Sequence, residues 1–200
     1  MGHLPARGLK PRTIISAMKY CSDCGAPVSL KIPPGDNLPR YVCERCLAIH
    51  YQNPKLVVGC IPERGDEILL CRRAINPRCG LWTLPAGFME NGETTAEAAA
   101  REAREEANAN VAIGSLFSLF NLPHINQVYL IFHGQLLNSD YAPGTESLEV
   151  ALFHEADIPW DELAFPAIQH TLRYYYQDRH NGELSLHLGD ITSSAPSAGK

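Results

Sequence analysis

The chain has no apolar run approaching the roughly 18 residues needed to cross a bilayer, so no membrane span is expected. It also lacks an excess of positive charge. Lys and Arg number 17 against 22 Asp and Glu, a formal charge of -5. That balance argues against a general nucleic-acid binder and requires any anionic substrate to be held locally, not by a global field. The cysteine count, 7, is odd; the placement of the cysteines suits metal ligands plus reduced thiols better than disulfides, so a reducing compartment, the cytoplasm, is expected. No internal repeat is present. Residues 1–17 lack acids altogether and carry Arg7, Lys10 and Arg12 with two prolines, the composition of a disordered leader. A single serine and little amphipathic pattern there argue against a transit peptide.

What is present fills one main domain plus an appendage: 200 residues, 45% of them hydrophobic, can bury an ordinary core. The appendage, residues 18–53, holds two C-x-x-C pairs, Cys21/Cys24 and Cys43/Cys46, separated by 18 residues. Repeated pairs at this spacing match a four-cysteine zinc ribbon, each pair on a tight knuckle and the four thiolates closing a tetrahedron; unrelated thiols or a redox pair are the alternative. With no open position, such a zinc is structural, and a ribbon this small needs the metal to fold. His50, close to the fourth cysteine, reads as a surface or packing residue.

Pro54 opens the main domain, taken as residues 54–190, with a small, polar and disordered tail over 191–200. Leu56–Ile61 and Glu67–Cys71 are apolar runs around a turn at Gly65 and read as a hairpin, with Cys60 and Cys71 as buried small hydrophobes. Arg72 and Arg73 close its second strand. Leu81–Pro85 reads as a strand in which Trp82 alternates toward the core, base stacking being the minority alternative. Val111–Asn121 and Gln127–Leu137 are further strands, and Val150–Phe153 follows an acidic loop containing Pro143, Gly144, Glu146 and Glu149. Ala167–Arg179 is expected to be helical, with Ile168, Leu172, Tyr175 and Tyr176 on one face.

The chain is organised around the stretch from Gly87 to Ala109. Thr94 and Glu97 form a capping box ahead of an Ala-rich run, so a helix starts there. On it Glu102, Glu105 and Glu106 stand at i, i+3 and i+4 and crowd three carboxylates onto one turn. Without a cation this arrangement only costs stability; all-oxygen ligands suit Mg2+ or Mn2+, which also bridge phosphate oxygens. A solvated Glu-rich face relieved by Arg101 and Arg104 is the bland alternative.

Gly87, five residues, Glu93, seven residues, Arg101-Glu102, two residues and Glu105-Glu106 resemble the Nudix box. The resemblance implies an α+β fold, the Nudix α/β/α sandwich with a mixed sheet, behind the small zinc ribbon. It implies hydrolysis of a nucleoside diphosphate linked to another moiety, with Glu102, Glu105, Glu106 and the Ala86 carbonyl as metal ligands. Glu93 and Arg101 would brace the loop, and a Glu beyond the box, Glu149 in preference to Glu146, would join the metals or act as base. Arg72, Arg73 and Trp82 are the substrate-binding candidates. Two positions depart from the box: Asn108 where it has glycine, the next best occupant of a left-handed helix end, and small Ala109 at an aliphatic position, whose packing is expected to fall to Val111.

A four-cysteine ribbon ahead of the box resembles two groups, the NADH pyrophosphatases and a plant plastid-type group that splits FAD and ADP-ribose. Ser118-Leu-Phe-Asn-Leu-Pro-His124 lacks the Ser-Gln-Pro-Trp-Pro-Phe-Pro signature of the first. Tyr51-Gln-Asn-Pro-Lys55, Gly80-Leu-Trp-Thr-Leu-Pro-Ala-Gly87, Pro143-Gly-Thr-Glu-Ser-Leu-Glu149 and Leu163-Ala-Phe165 fit the second. FAD or ADP-ribose is thus the expected substrate, with NADH pyrophosphatase or a nucleotide sensor whose ribbon contacts nucleic acid or a partner as alternatives. The resemblance also suggests a homodimer.

Overall fold

The structure, a computed structural model, describes residues 18–192; the disorder expected of residues 1–17 and 193–200 lies outside them. Two compact units divide between Pro54 and Lys55.

The first unit is a three-stranded antiparallel sheet of β1 (Val28–Lys31), β2 (Arg40–Cys43) and β3 (Ile49–His50), in that order. Each C-x-x-C pair turns in the same way. Gly25 N–H donates to the Cys21 carbonyl at 2.9 Å, and Leu47 N–H donates to the Cys43 carbonyl at 3.2 Å. Both turns end on a left-handed residue, Gly25 at φ 71° and Leu47 at φ 63°. Glycine meets that requirement without penalty; an L side chain does not.

The second unit begins with β4 (Lys55–Arg64) and β5 (Glu67–Arg73). The expected hairpin exists only at its tip, where Glu63 pairs with Ile68 and Arg64 with Glu67. Beyond the tip the strands part. The strand expected over Leu81–Pro85 shrinks to β6 (Trp82–Thr83), which pairs with β5, and a further short strand, β7 (Ala86–Phe88), follows it and pairs with β4. Gly59 permits this, because a Cβ there would collide with the Pro85 carbonyl and with Ala86.

The helix α1 spans Thr95–Ala107, then come β8 (Val111–Leu122), β9 (Gln127–Leu136) and β10 (Ser147–His154). Single turns at Glu155–Asp157 and Trp160–Glu162 lead to α2 (Pro166–Asn181) and to β11 (His187–Asp190). The sheet order is β10-β5-β4-β9-β8-β11, with β4/β9 and β8/β11 parallel and the other neighbours antiparallel. Glu149 thus lies inside β10, not before it.

Alternation along β4 and β5 sends side chains to both faces. Val58, Cys60, Leu69 and Cys71 pack with Ala98, Ala99, Ala103 and Ala107 of α1. Ile61, Ile68 and Leu70 pack with Ile168, Leu172 and Tyr175 of α2. One helix on each face of a mixed sheet is the α/β/α sandwich expected. α2 starts with Pro166 at its first turn and stops at left-handed Gly182. Glu63, near the tip of β4, accepts hydrogen bonds from His133 at 2.9 Å and from the Tyr175 hydroxyl at 2.5 Å, tying that tip to α2. The order reaches one residue into the expected tail, since Ile191 N–H donates to the Asn121 carbonyl at 2.8 Å.

The unlike occupants of the two ribbon turns give an expected outcome. Leu47 is 71% exposed, so its side chain contributes little packing, and Leu47→Gly should remove a left-handed penalty of about 1 kcal/mol. The variant should release zinc to a chelator more slowly than wild type, while Gly25→Ala should release it faster; a faster Leu47→Gly would contradict the strain.

Candidate active site

The site is built on α1. Its N-terminus is fixed by the capping box: Glu97 N–H donates to Thr94 Oγ1 at 3.2 Å, and Thr94 N–H donates to the Glu97 carboxylate at 2.7 Å. Its C-terminus is fixed by Asn108, left-handed at φ 48°, as expected of that position. Ala109 is itself fully buried in the cluster that holds Ala103 and Ala107, and Val111, partly buried, packs against the same cluster.

Arg101 is the organising cation. Its Nε and Nη2 donate to the two oxygens of Glu93 at 3.0 and 2.7 Å, and Nη2 also donates to the Phe88 carbonyl at 3.2 Å. Its Nη1 donates to Glu102 at 2.7 Å and to Glu105 at 3.0 Å. The guanidinium beside Glu93 holds that carboxyl down at about 2. One cation among three carboxylates leaves the cluster negative.

Glu102 and Glu106 lie inside the protein, 8% and 6% exposed. Glu102 lies over Gly87, where any Cβ would strike its carboxylate; the box glycine is therefore a matter of room. Burial raises the Glu102 pKa, offset in part by Arg101. Burial pushes Glu106 further, to about 8, against a hydrogen bond from Ala86 N–H at 3.2 Å. Glu105 is more exposed. Hard oxygen donors on buried, partly uncompensated carboxylates suit a divalent cation of the Mg2+ or Mn2+ kind.

The acidic loop contributes through docking. Ala142 and Gly144 N–H groups donate to the Ala107 and Glu106 carbonyls, both at 2.9 Å, at the end of α1. Asn108 Nδ2 donates to the Ala142 and Pro143 carbonyls at 3.0 and 3.4 Å. Gly144 lies so close that a Cβ would overlap the Glu105 carbonyl. The loop thereby brings Glu146 to the cluster, where its charge raises both Glu102 and Glu106. Glu149 is directed elsewhere: on β10 it faces Arg72, with its carboxylate 3.5 Å from that guanidinium.

Arg72 also donates to the Gly80 carbonyl at 2.9 Å. Arg73 is buried, donates to the Pro77 carbonyl at 3.0 Å, lies 5.1 Å from the centre of the Phe165 ring and acts electrostatically on Glu106. Trp82 is in the core, edge-on to Phe153 at 4.9 Å. Asn108, Gly144 and Phe165 were not legible as site residues.

In the ribbon, the four cysteine sulfurs lie within 4.8 Å of one another, the one such converging metal-ligand group among the described residues. Separations of 3.6 Å for Cys21–Cys46 and 3.5 Å for Cys24–Cys43 approach the ~3.8 Å edge of a tetrahedron with 2.3 Å metal–sulfur bonds. His50 is more than a surface residue, because its Nε2 stands 3.3 Å from Cys21 Sγ.

An oxygen-donor cluster at a loop–helix junction in one unit and a four-thiolate set in the other are the two groups to be compared with known families. Residues 53–178 match the NUDIX domain and residues 19–52 the zinc-ribbon family described as Nudix N-terminal. The chain belongs to the Nudix family. It is 56% identical to a NUDIX hydrolase from Nitrosomonas europaea of known crystal structure, which covers 88% of this chain and 100% of that one with a TM-score of 0.86. It is 30% identical to the NAD-capped RNA hydrolase NudC of Stutzerimonas stutzeri over 81% of this chain and 56% of that protein. It is 31% identical to the ADP-ribose pyrophosphatase of Methanocaldococcus jannaschii over 58% of this chain and 69% of that protein. The chain spans little more than half the length of the NudC relative.

Glu106 supplies a pH test. Its folded pKa, about 8, lies above an unfolded value of roughly 4.3, so the folded state binds the extra proton between those values. The stability it contributes is present below the lower value and lost as pH rises through the upper one. Without divalent metal, the melting temperature of the wild type should fall from pH 5 to pH 9 relative to Glu106→Gln, and added Mg2+ should reverse the fall. Parallel profiles for the two proteins would contradict the burial of that charge.

Proposed function

We propose that this chain is a metal-dependent pyrophosphohydrolase that cleaves the diphosphate bridge of a nucleoside diphosphate derivative, with ADP-ribose or FAD as substrate. The observation that carries the reading is the buried Glu102–Glu106 pair on one turn, joined by Glu105 and faced by Glu146. A solvated helix face does not bury two carboxylates, and a pure sensor has no use for them.

In this proposal Glu102, Glu105, Glu106 and the Ala86 carbonyl hold Mg2+ or Mn2+. Such ions, when bound, acidify a coordinated water and neutralise phosphate oxygens. Arg101 with Glu93 fixes the loop so that Gly87 stays beneath Glu102. Glu146 takes the proton of the attacking water, in place of Glu149; the action of its charge on Glu102 and Glu106 supports this role. Arg73, buried and near Glu106, receives the diphosphate, and Arg72 with Glu149 forms the outer rim. Products are AMP with ribose 5-phosphate, or AMP with FMN. The ribbon zinc, bound by Cys21, Cys24, Cys43 and Cys46, is structural.

The M. jannaschii relative is named for ADP-ribose, and the acidic balance disfavours nucleic acid. A second reading has its own support: the NudC match runs through most of the chain, which brings NAD-type dinucleotides into consideration with the same chemistry. We place the protein in the cytoplasm as a homodimer.

Incubation with ADP-ribose, FAD, NADH or NAD-capped RNA in Mg2+ or Mn2+, with chromatographic separation of products, tests the assignment. AMP should appear from ADP-ribose or FAD fastest. Glu102→Gln and Glu105→Gln should abolish turnover with nearly unchanged melting temperatures; normal activity in either refutes the ligand assignment. Glu146→Gln should lose about 100-fold in kcat, the scale of a missing general base, and Glu149→Gln far less. The opposite order would return the base to Glu149.

A further inference from the structure

Far from the box, the sheet carries a cleft of about 820 Å³ whose lining includes Asp66, Glu155, Trp160, Tyr176, Arg179 and His180. β10 leads from Ser147, opposite Arg73, to His154, opposite Glu67, so the length of that strand, about 23 Å, separates the cleft from the catalytic end.

Tyr176 is 5% exposed, and its hydroxyl is the one buried side-chain nitrogen or oxygen without a hydrogen-bond partner among the described residues. Tyr176 lines the cleft together with Asp66, Glu155 and Arg179, whose charges act on its hydroxyl. Leaving a buried polar group unmade costs about 1–3 kcal/mol. The adjacent Tyr175 hydroxyl, by contrast, is bonded to both Glu63 and Arg179.

The cleft has an excess of acceptors. Arg179 is committed to Glu63, the Tyr175 hydroxyl and the Gly65 carbonyl. Among the described residues the ion-pair partner of Asp66 is His154, at 3.2 Å, and that of Glu155 is His180, at 2.9 Å; imidazoles neutralise them only when protonated. Arg173 lies 5.0 Å from the centre of the Trp160 ring, so that ring already attracts a cation.

From these groups we infer that the cleft is a second binding site, for a small organic cation of the di- or polyamine class. Asp66 and Glu155 take its ammonium groups, Trp160 lies along its alkyl spacer, and the Tyr176 hydroxyl accepts a hydrogen bond from it. The inference is independent of the substrate assigned to the box.

Calorimetric titration of the full, zinc-loaded chain with spermidine, at low ionic strength and in saturating Mg2+, tests it. One site is expected, weakened about tenfold or more in Glu155→Gln and in Tyr176→Phe, the scale of one lost charge-assisted contact, and unchanged in the box variant Glu105→Gln. Tyr176→Phe should also raise the melting temperature by relieving the unpartnered hydroxyl. Absence of spermidine binding, or binding that is lost with Glu105→Gln but kept with Glu155→Gln, overturns the proposal. So does competition at the cleft by inorganic phosphate, which would make it an anion site. A Tyr176→Phe protein that melts lower and binds spermidine normally would make the hydroxyl structural and likewise overturn it. Glu155 is exposed, so its variant keeps the test open if Tyr176→Phe does not fold.

Discussion

A single guanidinium set among three carboxylates governs the main unit. Arg101 joins Glu93 of the loop to Glu102 and Glu105 of the helix, and the geometry on either side follows from keeping that junction intact. Gly87 has no side chain because Glu102 occupies the space, and Glu90 N–H donates to Glu93 at 2.7 Å. The balance is deliberately incomplete in charge. Glu106, one turn on from Glu102, has no guanidinium bonded to it, and its burial gives a nearby cation a large effect on its protonation.

Helix α1 serves both the core and the site, and its sequence divides accordingly. One face is alanine, which lets the helix lie close against Val58, Cys60 and Leu69. The adjacent sector is carboxylate, and close packing draws Glu102 and Glu106 into the protein with it. The same closeness makes the left-handed end at Asn108 serve twice, ending the helix and tethering the loop that carries Glu146.

Two metal chemistries are kept apart by donor type. The ribbon offers four soft thiolates converging as a closed set, suited to zinc. The box offers carboxylate oxygens, hard donors of the kind that Mg2+ and Mn2+ prefer.

Much of this was legible in sequence because it depends on short-range spacing. The capping box, the carboxylates at i, i+3 and i+4, the two C-x-x-C knuckles and the tolerance for Asn108 each involve neighbours along the chain, and local geometry settles them. What the sequence left open depended on contacts between distant segments. Pairing beyond the tip of the β4–β5 hairpin is redirected by Gly59 meeting Pro85. The strand β11 pairs with β8, which lies far away in the chain, and Asp178 holds Ser185 and His187 at 2.8 Å beside it. A loop of acids did not distinguish Glu146 from Glu149 by spacing; in the fold the charge of Glu146 acts on Glu102 and Glu106, while Glu149 lies beside Arg72. Chain spacing thus determined which groups would stand together on one turn. Only the folded packing, by fixing burial and the direction of each distant side chain, decided which of them carries uncompensated charge.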